Sequence, residues 1–143
     1  MKVEKLPPVV SSLQPSNHPY LNGAWTPLHE EVNATDLEVI EGAIPTDIDG
    51  IYLRNTENQL HQPLGRHHPF DGDGMIHQIS FANGTATYRN RFIRTRCFEA
   101  EQIAGGSLWG GLTHGCRCAP ISHLSRRNAS TSNWLLFRSV ATG

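Results

Sequence analysis

Residues 67–77 read HHPFDGDGMIH, and the interpretation of the whole chain depends on this stretch. It brings together three histidines, a Pro-Phe step and two Asp-Gly pairs. No general structural requirement asks for these residue types together in so short a segment. Two interpretations are open: a metal site, or a sharp turn that leads into a strand.

As a metal site, the stretch offers nitrogen and oxygen ligands at His67, His68, Asp71, Asp73 and His77. The adjacent His67 and His68 would point to opposite faces of a strand, which argues against a shared ion. A calcium-binding loop that begins at Asp71 would need an acidic twelfth residue, where the sequence has Ala82. The turn interpretation instead predicts carboxylates that cap backbone amides and glycines that permit the φ values of the turn.

The residues that follow predict a β-hairpin. Apolar and polar residues alternate from Met75 to Phe81, which places Met75, His77, Ile79 and Phe81 on one face. Asn83-Gly84 supplies the pair with positive φ that a tight hairpin turn favours. The β-rich run at residues 85–95 then predicts the second strand.

Upstream residues predict two shorter strands, at 37–42 (LEVIEG) and 51–54 (IYLR), with a turn at 47–50 (DIDG). Helical turns are possible only at Thr35–Ile40 and Cys97–Ile103. Short strands at intervals of about ten residues favour an all-β sandwich, barrel or propeller.

We expect three parts along the chain. Residues 1–23 form an extended arm, because their prolines exclude a regular helix. Residues 24–112 carry the strands. Residues 113–143 show neither helical nor strand periodicity, so we expect an irregular or aberrant tail that ends in a truncated chain.

Composition excludes several partners and settings. The 143 residues carry 12 basic and 13 acidic side chains, a net charge of −1, which gives no electrostatic basis for binding nucleic acid. No run approaches the about 20 apolar residues of a transmembrane segment, and no secretory signal is visible. The 3 cysteines, an odd number, do not make a disulfide framework, so a reducing cytoplasmic location is expected.

Two other clusters of polar side chains are explained more simply without a binding site. A zinc site could use His114, Cys116, Cys118 and His123, but Cys-x-Cys is tighter than usual zinc spacing. The clustered arginines are Arg89, Arg91, Arg94 and Arg96. On one continuous strand the first two would face away from the last two, so we expect solvated or internally paired roles.

Four segments, read in order, resemble motifs of the carotenoid cleavage oxygenase family, which includes the lignostilbene dioxygenases. They are NGAWTP (22–27), GAIPTDIDGIYLRN (42–55), HHPFDGDGMIH (67–77) and YRNRFIRT (88–95). The resemblance covers residues 22–112. It implies an all-β fold in which this chain is the N-terminal portion, one to two blades, of a seven-bladed β-propeller that is incomplete on its own.

The resemblance also implies a chemistry. Family members hold one Fe(II) with four histidines and cleave an alkene bond of an apolar carotenoid, apocarotenoid or stilbene with dioxygen. Those histidines lie downstream of the matched region, and none of the 8 histidines here corresponds to one. We therefore expect no metal-binding or catalytic residue in this chain, and no bound Fe(II). Phe70 is the one residue predicted to lie close to the substrate tunnel.

Two functional hypotheses follow. The first is a fragment of a non-haem iron(II) dioxygenase that is inactive as 143 residues alone. The second is a non-catalytic remnant of a truncated or frameshifted gene, which the irregular tail motivates.

Overall fold

The structure of the protein, a computed structural model, describes residues 1–114, which form one antiparallel sheet and one α-helix. The strands are β1 (Lys2–Lys5), β2 (Val32–Thr35), β3 (Gly50–Asn58), β4 (Asp73–Ala82) and β5 (Thr85–Phe92). Helix α1 spans Arg96–Ala104, and short 3₁₀ turns lie at Gly23–Trp25 and Leu112–His114. The strand order is β1-β2-β5-β4-β3. The prediction that strands dominate is confirmed for these residues, while the number of propeller blades stays a prediction.

The hairpin of β4 and β5 forms as the sequence predicts. Asn83 and Gly84 occupy the turn with φ values of +49° and +71°, and Ala82 pairs with Thr85 across it. Positive φ at both central residues matches the right-handed twist of the flanking strands. The register places Met75 opposite Phe92. The predicted common face of Met75, His77, Ile79 and Phe81 is therefore confirmed.

Strand β3 is longer than the predicted residues 51–54, because its partner β4 begins earlier than expected. The ladder continues until Asn58 lies opposite Asp73. The sharp turn predicted from the two Asp-Gly pairs is therefore wrong for the second pair, since Asp73 and Gly74 belong to β4.

Residues 37–42 do not form the predicted strand, and residues 35–40 do not form the alternative helical turn. Strand β2 occupies Val32–Thr35 instead, and Asp36 then turns the chain with a φ of +52°. Ile40 is 99% exposed. An alternating pattern forms a strand only where a neighbouring strand accepts its hydrogen bonds, and this segment has no such neighbour among the described strands.

The N-terminal arm contributes the edge strand β1, which pairs with β2. Further along, the backbone N–H groups of Ser12 and Leu13 donate to the Leu60 carbonyl at 3.0 and 3.2 Å. The arm is thus attached at two places, to β2 through β1 and to the segment after β3 through Leu60. The division at residues 23 and 112 stays a prediction.

The buried core is small and lies between the sheet and α1. It consists of Leu60, Met75, Phe92 and Phe98, with Val9 of the arm packed against it. The rings of Phe92 and Phe98 stack at 5.5 Å between centroids. Burial of each of these side chains contributes about 1.5–3 kcal/mol.

The helical turn considered possible at residues 97–103 forms, and it belongs to the longer helix α1. The Thr95 side chain caps its first turn by accepting a hydrogen bond from the Phe98 N–H at 3.0 Å. Gly105 ends the helix in the left-handed conformation, with a φ of +68°. These caps satisfy backbone groups that a helix of this length otherwise leaves unpaired.

The four clustered arginines do not lie on one continuous strand, because β5 ends at Phe92 and Arg94 lies beyond it. Arg91 donates to the Val32 carbonyl and to Asn33. Arg94 pairs with the buried Glu31 at 2.6 Å, and its guanidinium lies 4.7 Å from the centre of the Phe98 ring. Internal pairing is thus confirmed for Arg91 and Arg94.

Several predictions fall beyond the described residues. They concern the tail after residue 114, including Cys116, Cys118 and His123 of the zinc alternative. Within residues 1–114, the one helix is too short and too polar to cross a membrane.

Candidate functional site

The HHPFDGDGMIH stretch, here called the hallmark segment (residues 67–77), forms a loop followed by the first half of β4. Asp71 closes this loop. Its Oδ2 accepts a hydrogen bond from the His68 N–H at 2.8 Å, and its Oδ1 accepts one from the Leu112 N–H at 2.7 Å. The predicted capping of backbone amides is therefore confirmed for Asp71.

Glycine is required around this loop because a side chain would not fit, and not because the backbone has a positive φ. Neither Gly72 nor Gly74 has a positive φ, so the predicted role of permitting turn conformations is wrong. A Cβ at Gly72 would lie 2.7 Å from the Asn58 backbone nitrogen, and a Cβ at Gly111 would overlap the Asp71 carboxylate. Close approach of backbone segments is a long-range property that the loop sequence does not reveal.

The histidines of the hallmark segment make hydrogen bonds in different parts of the structure. The Nδ1 atom of His68 accepts from the Phe70 N–H at 3.2 Å. His77 lies on the sheet face, with Nε2 2.8 Å from Thr56 Oγ1 and Nδ1 2.7 Å from Tyr88 Oη. In the part of the chain that is described, no group of three or more histidine, cysteine, aspartate or glutamate side chains is placed to hold a metal ion. The histidine and carboxylate side chains of the described residues therefore do not fit an iron site.

Phe70 lies at the tip of the hallmark loop and is 68% exposed. Its ring contacts the His68 ring edge-on, with 5.3 Å between the centroids. An exposed aromatic ring at a loop tip has an apolar surface available for a ligand or a further part of the protein. Its predicted position beside a substrate tunnel stays a prediction.

A polar cavity of about 240 Å³ lies between the hallmark loop and α1. Burial, with a smaller effect from the Glu101 carboxylate, raises the pKa of Asp73 to about 6. His61 also lines this cavity. Burial lowers the pKa of His61, although Glu101 acts in the opposite direction.

A larger groove of about 670 Å³ runs across the sheet face beside His77. Trp25, Tyr52 and Tyr88 supply aromatic walls, and Arg54 lies opposite His77 in the ladder. Burial, and then the Arg54 charge, lower the pKa of His77. Burial also raises the pKa of the Tyr88 hydroxyl. Arg54 and Tyr88 were not predicted as site residues from the sequence, although correct pairing of the strands would have placed both beside this face.

The chain matches the family described as retinal pigment epithelial membrane protein over residues 25–139. It is 35% identical to the probable carotenoid cleavage dioxygenase 4 of Arabidopsis thaliana, over 76% of this chain and 18% of that protein. It is 45% identical to the carotenoid cleavage oxygenase of Mycobacterium tuberculosis, over 56% of this chain and 16% of that protein.

The fold is also similar to a solved structure. The lignostilbene dioxygenase of Pseudomonas brassicacearum superposes with a TM-score of 0.64 at 34% identity, over 69% of this chain and 21% of that chain. The present chain thus spans about a fifth of the length of the proteins it matches.

Proposed function

Because the chain belongs to the family described as retinal pigment epithelial membrane protein, which includes the carotenoid cleavage oxygenases, we propose that it is the N-terminal part of an alkene-cleaving dioxygenase. The match to the family over residues 25–139 is the observation that carries this proposal. The substrate class is an apolar carotenoid, apocarotenoid or stilbene, and dioxygen is the second substrate. The relatives are named as enzymes that cleave carotenoids, and the structural neighbour as one that acts on a lignostilbene.

Fe(II), which the family resemblance implies, would activate dioxygen in the complete protein. The described side chains do not form such a site. On the family resemblance, we assign this chain no metal ligand and no catalytic residue. Its role in the complete protein is architectural: the sheet supplies one to two blades of the propeller. Phe70 contributes an apolar wall to the substrate tunnel.

We further propose that these 143 residues are inactive alone and act, within the complete protein, in the cytoplasm without binding nucleic acid. The small core and the apolar residues exposed on β3 support the dependence on further chain. The net charge of −1 supports the absence of nucleic acid.

The test is to purify the 143-residue chain, measure iron by mass spectrometry, and assay cleavage of an apocarotenoid by chromatography. We expect neither stoichiometric iron nor carbonyl products. One iron per chain together with cleavage would contradict the proposal. A complete enzyme encoded by the same locus serves as the positive control, and there Phe70→Ala is expected to raise KM more than it lowers kcat.

Sequencing the locus beyond codon 143 separates this function from that of a non-catalytic remnant. A continuing frame with four well-separated histidines supports the dioxygenase. Early stops in every frame support the remnant.

A further inference from the structure

His61 is buried where the N-terminal arm, the segment after β3 and helix α1 meet. It is 1% exposed. Its Nδ1 lies 3.0 Å from Ser12 Oγ of the arm, and its Nε2 lies 3.4 Å from Nε2 of Gln102 on α1. The ring therefore bridges the arm and the helix.

The orientation of the Gln102 amide is fixed by the arm itself. The Val10 N–H donates to Gln102 Oε1 at 2.6 Å, and Gln102 Nε2 donates to the Val10 carbonyl at 2.9 Å. A flipped amide would place two donors against each other and two acceptors against each other. The amide nitrogen must therefore face His61.

This orientation determines which nitrogen of His61 carries the proton. Because the Gln102 amide nitrogen can only donate, His61 Nε2 must be the acceptor. The proton of the neutral ring then lies on Nδ1, which donates to Ser12 Oγ. A second proton on Nε2 would point at the amide hydrogens of Gln102 and oppose the contact.

We propose that residues 9–13 of the arm are held in place by a proton-sensitive latch, which opens when His61 takes up a second proton. The positive ring either repels the Gln102 amide or forces it to rotate. Rotation breaks both hydrogen bonds to Val10. Release of the arm would also remove Val9 from the core and separate Ser12 from the Leu60 carbonyl.

The charged and titratable groups that line the same cavity come from α1, β4 and the preceding loop. They are Arg66, Asp71, Asp73, Cys97 and Glu101. Glu101 raises the pKa of His61, but the larger effect of burial keeps it below 6.5. The neutral ring is therefore the main form at neutral pH, and the latch is lost as the pH falls through the lowered pKa of His61. Asp73, which lines the same cavity, has a pKa of about 6 and loses its charge over a similar pH range.

The test uses nuclear magnetic resonance on the 143-residue chain. At neutral pH, imidazole nitrogen shifts should show the Nδ1–H form of His61. Hydrogen-exchange protection of the Val10, Ser12 and Leu13 amides, corrected for the intrinsic pH dependence, should fall about tenfold as His61 becomes protonated. An Nε2–H form at neutral pH, or protection that does not follow the titration of His61, would overturn the proposal.

The variant His61→Gln sharpens the test, because its amide oxygen can accept from Gln102 but cannot take up a proton. We expect the arm of this variant to stay protected at acidic pH. The control is His68→Gln. The His68 ring accepts a hydrogen bond from Phe70 within its own loop and does not contact the arm latch. This variant should keep the pH dependence of arm protection seen in the original chain. If the arm amides of His61→Gln lose as much protection at acidic pH as those of the original chain, the latch is refuted. If that variant does not fold, the protonation state and titration of His61 in the original chain still decide.

Discussion

The two ends of β3 lie in opposite environments. At its start, Ile51, Tyr52 and Leu53 are 64%, 54% and 52% exposed, and β3 is the edge strand of the sheet. At its end, Asn58 is 4% exposed and lies beside the core and the hallmark loop. A single strand therefore joins a packed corner, where the hallmark loop, core and helix meet, to an open edge with apolar side chains in water. Such an edge favours pairing with further strands.

The largest effect should come from emptying the packed corner. Met75→Ala removes a side chain that is 0% exposed and is expected to lower the free energy of unfolding by about 3 kcal/mol. The matched variant at the open edge is Leu53→Ala, with an expected loss below about 1 kcal/mol. Urea denaturation followed by circular dichroism measures both. Equal losses would mean that the corner and the open edge are packed alike.

Overfilling the corner should have a somewhat smaller effect. Gly72→Ala places a Cβ 2.7 Å from the Asn58 backbone nitrogen, so β3 and the hallmark loop must separate, at about 2 kcal/mol. Gly106→Ala is the control, because a Cβ there has no neighbour within 4 Å. Thermal unfolding of the two variants gives the comparison. A Gly72→Ala chain as stable as Gly106→Ala would show that the close contact is absent in solution.

A pH-dependent effect of about 1 kcal/mol is expected at the cavity beside the corner. The pKa of Asp73 is raised from 3.8 to about 6 on folding, so the folded state binds more protons between these values. Stability therefore decreases as the pH rises from about 4 to about 6, and stays lower above that range. Asp73→Asn removes the ionisation and should stabilise the chain at pH 8 by about 1 kcal/mol, after solvent screening, with no gain below pH 4.

The control for this prediction is Asp47→Asn, which changes an exposed turn residue outside the cavity. Unfolding curves at several pH values test both variants. A stability gain for Asp73→Asn that is the same at pH 4 and pH 8 would rule out the ionisation as its cause.

The smallest effect is expected at the tip of the hallmark loop. Phe70→Ala should change the free energy of unfolding by less than about 0.5 kcal/mol, because the ring is 68% exposed. The neighbouring Asp71→Ala, which removes two hydrogen bonds to backbone amides, should cost about 2 kcal/mol. Urea denaturation distinguishes them. A loss at Phe70 as large as that at Asp71 would place this ring in the packed corner.

Sequence reasoning succeeded where short-range chemistry determines the structure. Asn83-Gly84 requires the positive φ values of a tight turn, and residues 97–103 lie between a cap at Thr95 and a glycine at Gly105. It failed where distant segments decide. Residues 37–42 have a strand pattern but no neighbouring strand, and β3 extends because β4 lies beside it.

The candidate site likewise has some contacts that the local sequence predicts and others that depend on distant segments. Capping by Asp71 could be predicted from its loop, since one of its two bonds is to His68, three residues away. The bridge between Ser12, His61 and Gln102 joins residues 41 and 49 positions apart. No local pattern in the sequence encodes such a contact, so only the folded chain reveals it.

The Gln102 amide takes the place of a neighbouring strand's peptide group, and this has a consequence for sequence variation. The Gln102 amide binds the backbone N–H and carbonyl of Val10, and the Val10 side chain takes no part in these hydrogen bonds. Val10 is 46% exposed, so many residue types are compatible with an attached arm, proline excepted because it lacks the N–H. Position 10 is therefore suited to a fluorescent or spin label that reports on the arm without disturbing its attachment.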